Sequence, residues 1–292
     1  MNNIPLVSIL IPVYNREKLI GSCIQSALDQ TVKNIEVIVV DNASTDNTWE
    51  ICKNYAQKDV RVRIFRNEEN IGPVRNWLRC IQEAKGKFGK ILFSDDLIKE
   101  QYLEKTVPIL EDHDIGFVFT KVCIGEIEWE GDIWYEYFTQ DALIDTGQYI
   151  TDCIINVDKV PVSPGCALFR RDDLNKNLHI TIPSPTIDDF DKHGAGPDLL
   201  LYLLSAVCYK KVAYINDTLA FFRSHPGSIT ISDRGGYLNK CYLQAKIWFA
   251  GQYYPELLEK KLIQAWNAEK KKKLIDYKEF IKQYTTDNSL SD

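Results

Sequence analysis

The sequence has no closely spaced cysteine pairs, although it contains eight cysteines among 292 residues. No C-x-x-C pair occurs, so neither a zinc framework nor a dithiol redox motif is indicated. Most of the cysteines lie inside apolar helical or strand patterns, which favours reduced core thiols in a cytoplasmic protein over a disulfide framework. They are Cys23, Cys52, Cys80, Cys123, Cys153, Cys166, Cys208 and Cys241.

Long apolar runs and an excess of positive charge are also missing. No run approaches the roughly 20 apolar residues of a membrane-spanning helix, and we expect no signal peptide, because the opening LVSILIP is too short. The formal net charge is −6, so no global field favours nucleic acid. With 45% hydrophobic and 26% charged residues, the composition indicates a globular protein of one large domain or one domain plus an appendage.

Glycine-rich phosphate loops are a further absence. No G-x-G-x-x-G follows the first predicted strand, and no G-x-x-x-x-G-K-[ST] occurs anywhere. If this chain binds a nucleotide diphosphate, it must therefore do so through a metal and carboxylates.

The first third of the chain contains a regular alternation of buried strands and amphipathic helices. Apolar, mostly β-branched runs predict strands at 6–12, 35–40, 62–65 and 91–93. Apolar residues at helical spacing predict the helices between them, and Pro73 marks a helix start. The short connections favour an α/β fold with a mostly parallel central sheet flanked by helices.

Each predicted strand ends in polar side chains. These clusters are Tyr14 with Asn15, Asp41, Arg66 with Asn67, and Asp95 with Asp96. Because ligands bind at the carboxyl ends of parallel strands, the four clusters should line one crevice.

The stretch GKILFSDDL, from Gly89 to Leu97, carries the most chemistry. Its two adjacent carboxylates, Asp95 and Asp96, follow an apolar strand, where unpaired charges are costly. A divalent cation carrying phosphate oxygens would offset that cost, since carboxylate oxygens suit Mg²⁺ or Mn²⁺. The alternative is a solvated Asp-Asp turn that caps the following helix.

The second half of the chain predicts further helices and strands around an aromatic segment and a long loop. A helix at 100–110 and strands at 115–122, 162–169, 211–215 and 220–223 surround an aromatic, acidic segment at 126–145, whose rings we assign mainly to core or interface. The loop 180–196 contains two prolines and two glycines and resembles a lid or substrate loop. Asp198 then opens an apolar helix, where a carboxylate is either functional or a plain helix-start acid.

The C-terminal segment from Lys260 to Lys282 has eight lysines against three acidic residues. Apolar residues recur among them at helical spacing. One interpretation is an amphipathic helix packed on the rest of the protein. The other is an interfacial helix that contacts an anionic membrane through 260–284.

An ordered set of blocks resembles the family 2 glycosyltransferases. The blocks are SILIPVYNRE, IVVDNASTDNT, NIGPVRN, FSDDL, GPDLLLYL and FRSHPGSIT. The resemblance extends from about Pro5 to Ser232 and implies a GT-A fold and an inverting, nucleotide-sugar-dependent transferase. It also implies a divalent metal, Mn²⁺ or Mg²⁺.

The resemblance assigns roles to residues of the first half. It implies that Asp41 contacts the nucleotide base, commonly uracil, that Tyr14 packs near the base, and that Arg75 lies near base or phosphate. Pro12 and Asn15 belong to the same nucleotide-sugar-binding set. Asp95 is expected toward ribose or diphosphate.

The metal and catalytic roles follow from the same comparison. Phe93 stands where the family commonly has its first metal-motif aspartate, so the metal role falls on Asp96, together with His225 of the H-P-G-S turn. Asp198 corresponds to the general base of similar enzymes. The neighbouring aspartates are alternatives for that role, namely Asp188, Asp189 and Asp191.

The resemblance also indicates the expected reaction. Processive members carry transmembrane helices and a Q-x-x-R-W motif, and neither is present here, so we expect one sugar per cycle, transferred to a saccharide or lipid-linked saccharide. The expected organisation is a nucleotide-sugar-binding half (1–122), an acceptor-binding half (123–235) and a helical extension (236–292). The alternatives are a receiver-type signalling module, which would not need the second half, and a catalytically inactive relative, which the Phe93 departure keeps open.

Overall fold

The computed structural model describes residues 4–156, 160–228, 233, 236–271 and 275–285. Within these residues the strands are β1 (Val7–Val13), β2 (Ile35–Asp41), β3 (Val62–Arg66), β4 (Phe88–Ile91), β5 (Leu97–Ile98), β6 (Ile115–Gly125), β7 (Asp132–Trp134), β8 (Ala142–Asp145), β9 (Ala167–Arg170) and β10 (Lys211–Arg223). The α-helices are α1 (Ile20–Leu28), α2 (Thr48–Lys58), α3 (Pro73–Glu83), α4 (Tyr102–Leu110), α5 (Thr146–Ile155), α6 (Arg171–Asn177), α7 (Pro197–Ala206), α8 (Tyr237–Tyr253), α9 (Pro255–Lys270) and α10 (Tyr277–Ile281).

One central sheet has the strand order β3-β2-β1-β4-β9-β6-β10-β5, with β7 paired to β6 and β8 paired to β10. The strands β3, β2, β1 and β4 are parallel, as the alternation predicts. Beyond β4 the sheet is mixed, because β9 runs antiparallel to both of its neighbours. The α/β fold with a helix-flanked central sheet is confirmed, and its parallel part is the first four strands and the β6–β10 pair.

Alternate residues of the central strands fill two cores on opposite faces of the sheet. Leu10 and Ile38 face the core formed with α3, α5, α6, α7 and α8. Ile9 and Val37 face the core formed with α1 and α4. The strands β1 and β2 are therefore mostly apolar on both faces, as expected for parallel strands covered on both sides, with Ser8 and Glu36 as buried polar exceptions.

Several predicted boundaries change in the structure. The predicted strand at 162–169 is shortened to β9, because Pro164 begins a 3₁₀ turn, Pro164–Cys166, before the strand. The predicted strands at 211–215 and 220–223 form the single strand β10, whose register against β6 shifts around Thr218. The fourth strand ends at Ile91, two residues before Phe93.

The C-terminal segment forms two helices instead of one, and residues 272–274 and 286–292 lie outside the described residues. Phe280, Ile281 and Tyr284 are buried against Ile247 of α8 and Leu262 of α9. This burial favours the packed interpretation for the apolar stripe. Within the described ranges, every helix is too short or too polar to cross a lipid bilayer.

All eight cysteines are free thiols. Seven of them are buried, and Cys208 is exposed. The burial of seven cysteines agrees with their predicted placement in apolar helical and strand patterns.

Candidate active site

The carboxyl ends of β1, β2 and β3 lie in register. Val13 pairs with Asp41, and Asp41 pairs with Arg66. The polar residues that follow these strands are thereby gathered at one edge of the sheet, which is where the sequence predicts the crevice.

Asp95 is the centre of a polar cluster next to this edge. Its Oδ2 lies 2.9 Å from Nε2 of His225 and 3.5 Å from Nε of Arg16. The Arg16 side chain also donates to the carbonyls of Asn15 and Gly227. Residues from three distant parts of the chain therefore meet at one carboxylate.

Asp96 points inward, with 6% of its surface exposed. Its Oδ1 accepts the backbone N–H of Arg223 at 3.0 Å. Burial, followed by the charge of Asp95, raises the pKa of Asp96 well above its ordinary value. The buried ammonium of Lys90 from β4 opposes that shift, and burial in turn lowers the pKa of Lys90 to about 8.

This cluster fits a divalent metal only with help from a ligand. Among the described residues, no group of three or more His, Cys, Asp or Glu side chains is arranged to hold a metal. Sites for Mg²⁺-like ions often use one or two carboxylates and complete the shell with substrate phosphates and water. Burial and, after it, the charge of Asp95 raise the pKa of Asp96, and a cation held beside the two carboxylates would favour their charged forms.

Asp96 and His225, the two residues predicted to hold the metal, have different contact partners in the structure. His225 contacts Asp95, whereas Asp96 is turned toward the Arg223 backbone. The resemblance implied that Asp96 acts together with His225, whereas in the structure His225 contacts Asp95. The roles of both aspartates remain predictions.

Asp41 lies fully buried at the end of β2. Its carboxylate accepts the backbone N–H of Ser44 at 3.2 Å and pairs with Nε of Arg66 at 3.0 Å. The Arg66 guanidinium also donates to the Ser44 carbonyl at 2.8 Å and lies 5.5 Å from the ring centre of Trp49. Arg66 thus covers the carboxylate that is expected to contact the base.

The turn after β1 is fixed by the turn after β2. Asn15 has a positive φ of 50°, and its side-chain Oδ1 accepts the Thr45 N–H at 2.8 Å. Its own N–H donates to Ser44 Oγ at 2.9 Å. Tyr14 is left 40% exposed beside this junction, available to a ligand ring, while Pro12 is buried within β1.

Arg75 lies on α3, next to an asparagine network that joins α3 to the ends of β2 and β3. Within that network, Asn67 donates to Asn42 at 2.7 Å and to Asn76 at 2.9 Å. Arg75 pairs with Asp191 of the loop 180–196 at 3.3 Å and lines a cleft of about 550 Å³. The structure thus connects Arg75 to the acceptor-side loop and records no contact between Arg75 and Asp41.

The loop 180–196 packs tightly on α3. Gly194 has a φ of +78°, and a Cβ at this position would come within 2.2 Å of the Trp77 ring, so only glycine fits. Trp77 in turn packs against Phe93, with ring centres 5.3 Å apart. Phe93 therefore has a packing role at the position where similar enzymes have an acidic residue.

Asp198 begins α7 as a buried carboxylate with three hydrogen-bond donors. Its Oδ1 accepts the backbone N–H groups of Gly196 at 2.9 Å and Leu199 at 2.7 Å. Its Oδ2 accepts the hydroxyl of Tyr242 at 2.8 Å. Burial raises the pKa of Asp198 to about 7, and these hydrogen bonds oppose the rise.

The three neighbouring aspartates have different surroundings. Asp188 is exposed, and Asp191 pairs with Arg75. Burial of Asp189 is outweighed by a hydrogen bond from Tyr237 and the charge of His193, which hold its pKa below the ordinary value. The raised pKa of Asp198, near neutrality, lies in the range in which a general base works best.

A sequence model of the Glycosyl transferase family 2 matches residues 8–178, which is more than half of the chain. The chain belongs to this glycosyltransferase family. Glycosyltransferase GlyG of Streptococcus pneumoniae is 29% identical over 231 residues, covering 77% of this chain and 72% of GlyG.

Two further comparisons extend this result. The putative teichuronic acid biosynthesis glycosyltransferase TuaG of Bacillus subtilis is 35% identical over 116 residues, covering 40% of this chain and less than half, 46%, of TuaG. The structure of S. aureus TarS 1-349 in complex with UDP-GlcNAc has a TM-score of 0.66 at 19% identity, covering 88% of this chain and 71% of TarS. The similarity to TarS confirms the GT-A fold.

Sequence reasoning missed several residues of this glycosyltransferase site. Arg66 was placed at a strand end but was given no role there, whereas Arg16 was missed although it stands inside the first quoted block. The Arg223 backbone and Tyr242 gave no signal in the sequence, because their contacts depend on how distant elements pack.

Proposed function

We propose that this glycosyltransferase moves a single sugar from a UDP-sugar to a hydroxyl of a saccharide or lipid-linked saccharide, with inversion at the transferred carbon. The observation that carries the proposal is Asp198, a buried carboxylate with a pKa near 7 at the start of α7. Such a group can accept a proton from an acceptor hydroxyl as the new glycosidic bond forms.

Asp198 is held ready for that step by its surroundings. The two backbone N–H groups on Oδ1 and the Tyr242 hydroxyl on Oδ2 fix the plane of the carboxylate. A carboxylate offers about four acceptor positions, so roughly one remains for the acceptor hydroxyl.

On the donor side, we assign the diphosphate to the cluster of Asp95, His225 and Arg16. A bound Mn²⁺ or Mg²⁺ would supply positive charge to the leaving diphosphate. Asp95 and His225, which touch each other, are the side chains that would hold it, with Asp96 as the supporting carboxylate. The Arg16 guanidinium beside Asp95 adds positive charge at the same place.

The uridine preference rests on Asp41. A carboxylate that accepts a base N–H discriminates against bases that lack this donor. A base approaching Asp41 must displace the Arg66 guanidinium or pack beside it, because Arg66 covers the carboxylate. TarS, which has the same fold, is described in complex with UDP-GlcNAc, and this supports a uridine donor.

The acceptor and location are part of the same proposal. GlyG and TuaG bear names of bacterial glycosyltransferases, and the name of TuaG refers to teichuronic acid biosynthesis. We propose a cytoplasmic enzyme that contacts an anionic membrane surface through lysines of 260–284, with the apolar stripe reserved for packing.

The test is the release of nucleoside diphosphate from a panel of nucleotide sugars, with and without Mn²⁺. We expect metal-dependent UDP release, and Asp198→Asn should lower it by roughly 10²–10⁴-fold while UDP binding is retained. Asp188→Asn, an exposed aspartate in the adjacent loop, is the matched control and should remain near wild type. If Asp198→Asn has activity within a few-fold of wild type, another residue is the base. If the wild type releases no nucleoside diphosphate from any donor, the protein is better explained as an inactive nucleotide-sugar-binding relative.

A separate measurement tests the assignment of the metal to Asp95 and His225. Calorimetric binding of UDP in the presence and absence of Mn²⁺ should lose its metal dependence in Asp95→Asn and retain part of it in Asp96→Asn. The opposite ranking would return the direct metal role to Asp96. A preference for adenosine or cytidine diphosphate over UDP would contradict the role of Asp41, whereas a guanosine preference would remove only the uridine assignment.

A further inference from the structure

The Asp198 carboxylate depends on a side chain from the C-terminal extension. Tyr242, on α8, lies 44 positions further along the chain and donates its hydroxyl to Oδ2 at 2.8 Å. Both residues lie beyond residue 178, where the match to the family model ends. The matched family segment therefore does not account for this contact.

We propose that Tyr242 is a positioning residue for the transfer reaction, which orients the Asp198 carboxylate and keeps it ionised by donating to Oδ2. This inference rests on the proposed role of Asp198 as general base. It also makes α8 part of the active site and not only a packing extension.

The hydrogen bonds to the Asp198 carboxylate support this role for Tyr242. Oδ1 of Asp198 has two backbone donors, whereas Tyr242 is the donor that the structure records for Oδ2. Without the hydroxyl, Oδ2 would be a charged oxygen in a buried site with no donor in place. A hydrogen bond to the charged form of a carboxylate favours ionisation, so loss of the hydroxyl should favour the protonated form.

Within the part of the chain that the structure describes, the charge of Asp198 raises the pKa of two buried tyrosines. Besides Tyr242, the side chain whose ionisation is coupled to the charge of Asp198 is Tyr135, which lies just after β7. The groups that lower the pKa of Asp198 include the Tyr242 hydroxyl and the backbone N–H groups of Leu199 and Gly196. The Tyr242 hydroxyl is thus the largest contribution that opposes the effect of burial on this carboxyl group.

The experiment follows the titration of Asp198 directly. In protein labelled with ¹³C at the aspartate side-chain carboxyl carbon, the Asp198 signal is the one that is missing in Asp198→Asn. Tyr242→Phe keeps the ring and removes the hydroxyl, and it should raise the titration midpoint of that signal by about one pH unit, the equivalent of one hydrogen bond. The acid limb of UDP release from a UDP-sugar should move by the same amount, with activity recovering at higher pH.

Tyr237→Phe is the matched control on the same helix. Tyr237 donates to Asp189 instead of Asp198, so this change should leave the Asp198 midpoint unchanged. If Tyr242→Phe does not fold, replacement of Tyr242 by 3,5-difluorotyrosine, a stronger donor of the same shape, should lower the midpoint. An unmoved midpoint in these Tyr242 variants would overturn the proposal.

The base role of Asp198 and the positioning role of Tyr242 can be refuted separately. Full activity in Asp198→Asn would refute the base assignment, whatever Tyr242 does. An inactive Asp198→Asn together with an unmoved midpoint in Tyr242→Phe would leave the base in place and refute the role of Tyr242. A uniform loss of rate at every pH, with no shift of the midpoint, would reduce Tyr242 to a packing residue.

Discussion

The replacement Asp198→Asn should change how the stability of the protein depends on pH. Asparagine has the shape of the aspartate and can keep its contacts. Its oxygen can accept the N–H groups of Gly196 and Leu199, and its amide can donate to the Tyr242 oxygen. The substitution therefore removes a buried charge, but it leaves the Tyr242 O–H without the acceptor it has in the wild type. That loss lowers the free energy of unfolding by an amount that does not depend on pH.

The sign of the effect follows from proton linkage. Asp198 has a pKa of about 7 in the folded protein, against an ordinary value of 3.8. Between these two values the unfolded chain has already lost the proton while the folded protein still holds it. The stability of the wild type therefore falls as pH rises through this window, and it is lowest where Asp198 is ionised in both states.

The magnitude can be worked out for accessible conditions. From pH 5 to pH 7 the window spans two pH units, and each unit corresponds to about 1.36 kcal/mol for one proton. Asp198→Asn lacks this term, so its free energy of unfolding relative to wild type should increase by about 2.7 kcal/mol between pH 5 and pH 8. The other titrating groups are the same in both proteins and cancel in the difference.

The assay is urea unfolding of both proteins at pH 5, 6, 7 and 8, with ΔΔG taken from midpoints and slopes. Asp188→Asn, in the exposed part of the loop, should give a difference that does not vary with pH. A flat difference for Asp198→Asn as well would refute the reasoning, because it would mean that this carboxyl group ionises in the folded protein at its ordinary pKa.

Three further predictions concern other parts of the chain. Arg66→Ala should lower the free energy of unfolding by about 1–3 kcal/mol, since it removes the ionic partner of a buried carboxylate, and a loss below about 0.5 kcal/mol in urea unfolding would contradict the contact. Ala43 has a φ of +61°, so Ala43→Gly should raise the free energy of unfolding by up to about 1 kcal/mol. The control Ala56→Gly, within α2, should lower it by about 1 kcal/mol. Equal effects of the two changes would refute backbone strain at Ala43. Changing the exposed Lys278 and Lys282 together to Gln should weaken binding to anionic vesicles at low salt by roughly tenfold or more, at ~1 kcal/mol per lysine, and unchanged sedimentation with vesicles would argue against a lipid contact.

The positions of the strand ends could be predicted from the sequence, because the patterns that mark strands and helices involve residues close together in the chain. Buried strands appear as apolar runs, helices as a 3.6-residue period, and their alternation determines which chain ends lie at the same edge of the sheet. These patterns placed Asp41, Asp95 and Asp198 at the starts or ends of elements. The ordered blocks then identified the family, which the comparisons confirmed.

The pairing of strands beyond β4 was decided only in three dimensions. A short strand such as β9 carries no signal for its direction, and its antiparallel position depends on the space between β4 and β6. The two predicted strands at 211–215 and 220–223 became one for a similar reason, since pairing with β6 continues across a register shift. Partner strands far away in sequence set both outcomes.

The candidate site likewise combines features that could be predicted from the sequence with contacts that only the tertiary structure decided. The sequence by itself determined that carboxylates stand at the ends of apolar elements, because burial and period are properties of neighbouring residues. The tertiary structure decided that Asp95 meets His225, 130 positions away, and that Asp198 meets Tyr242, 44 positions away. It also decided that Arg66 covers Asp41. The direction of a side chain and the pKa of a buried acid depend on the atoms packed around them, and those atoms come from elements that only folding brings together.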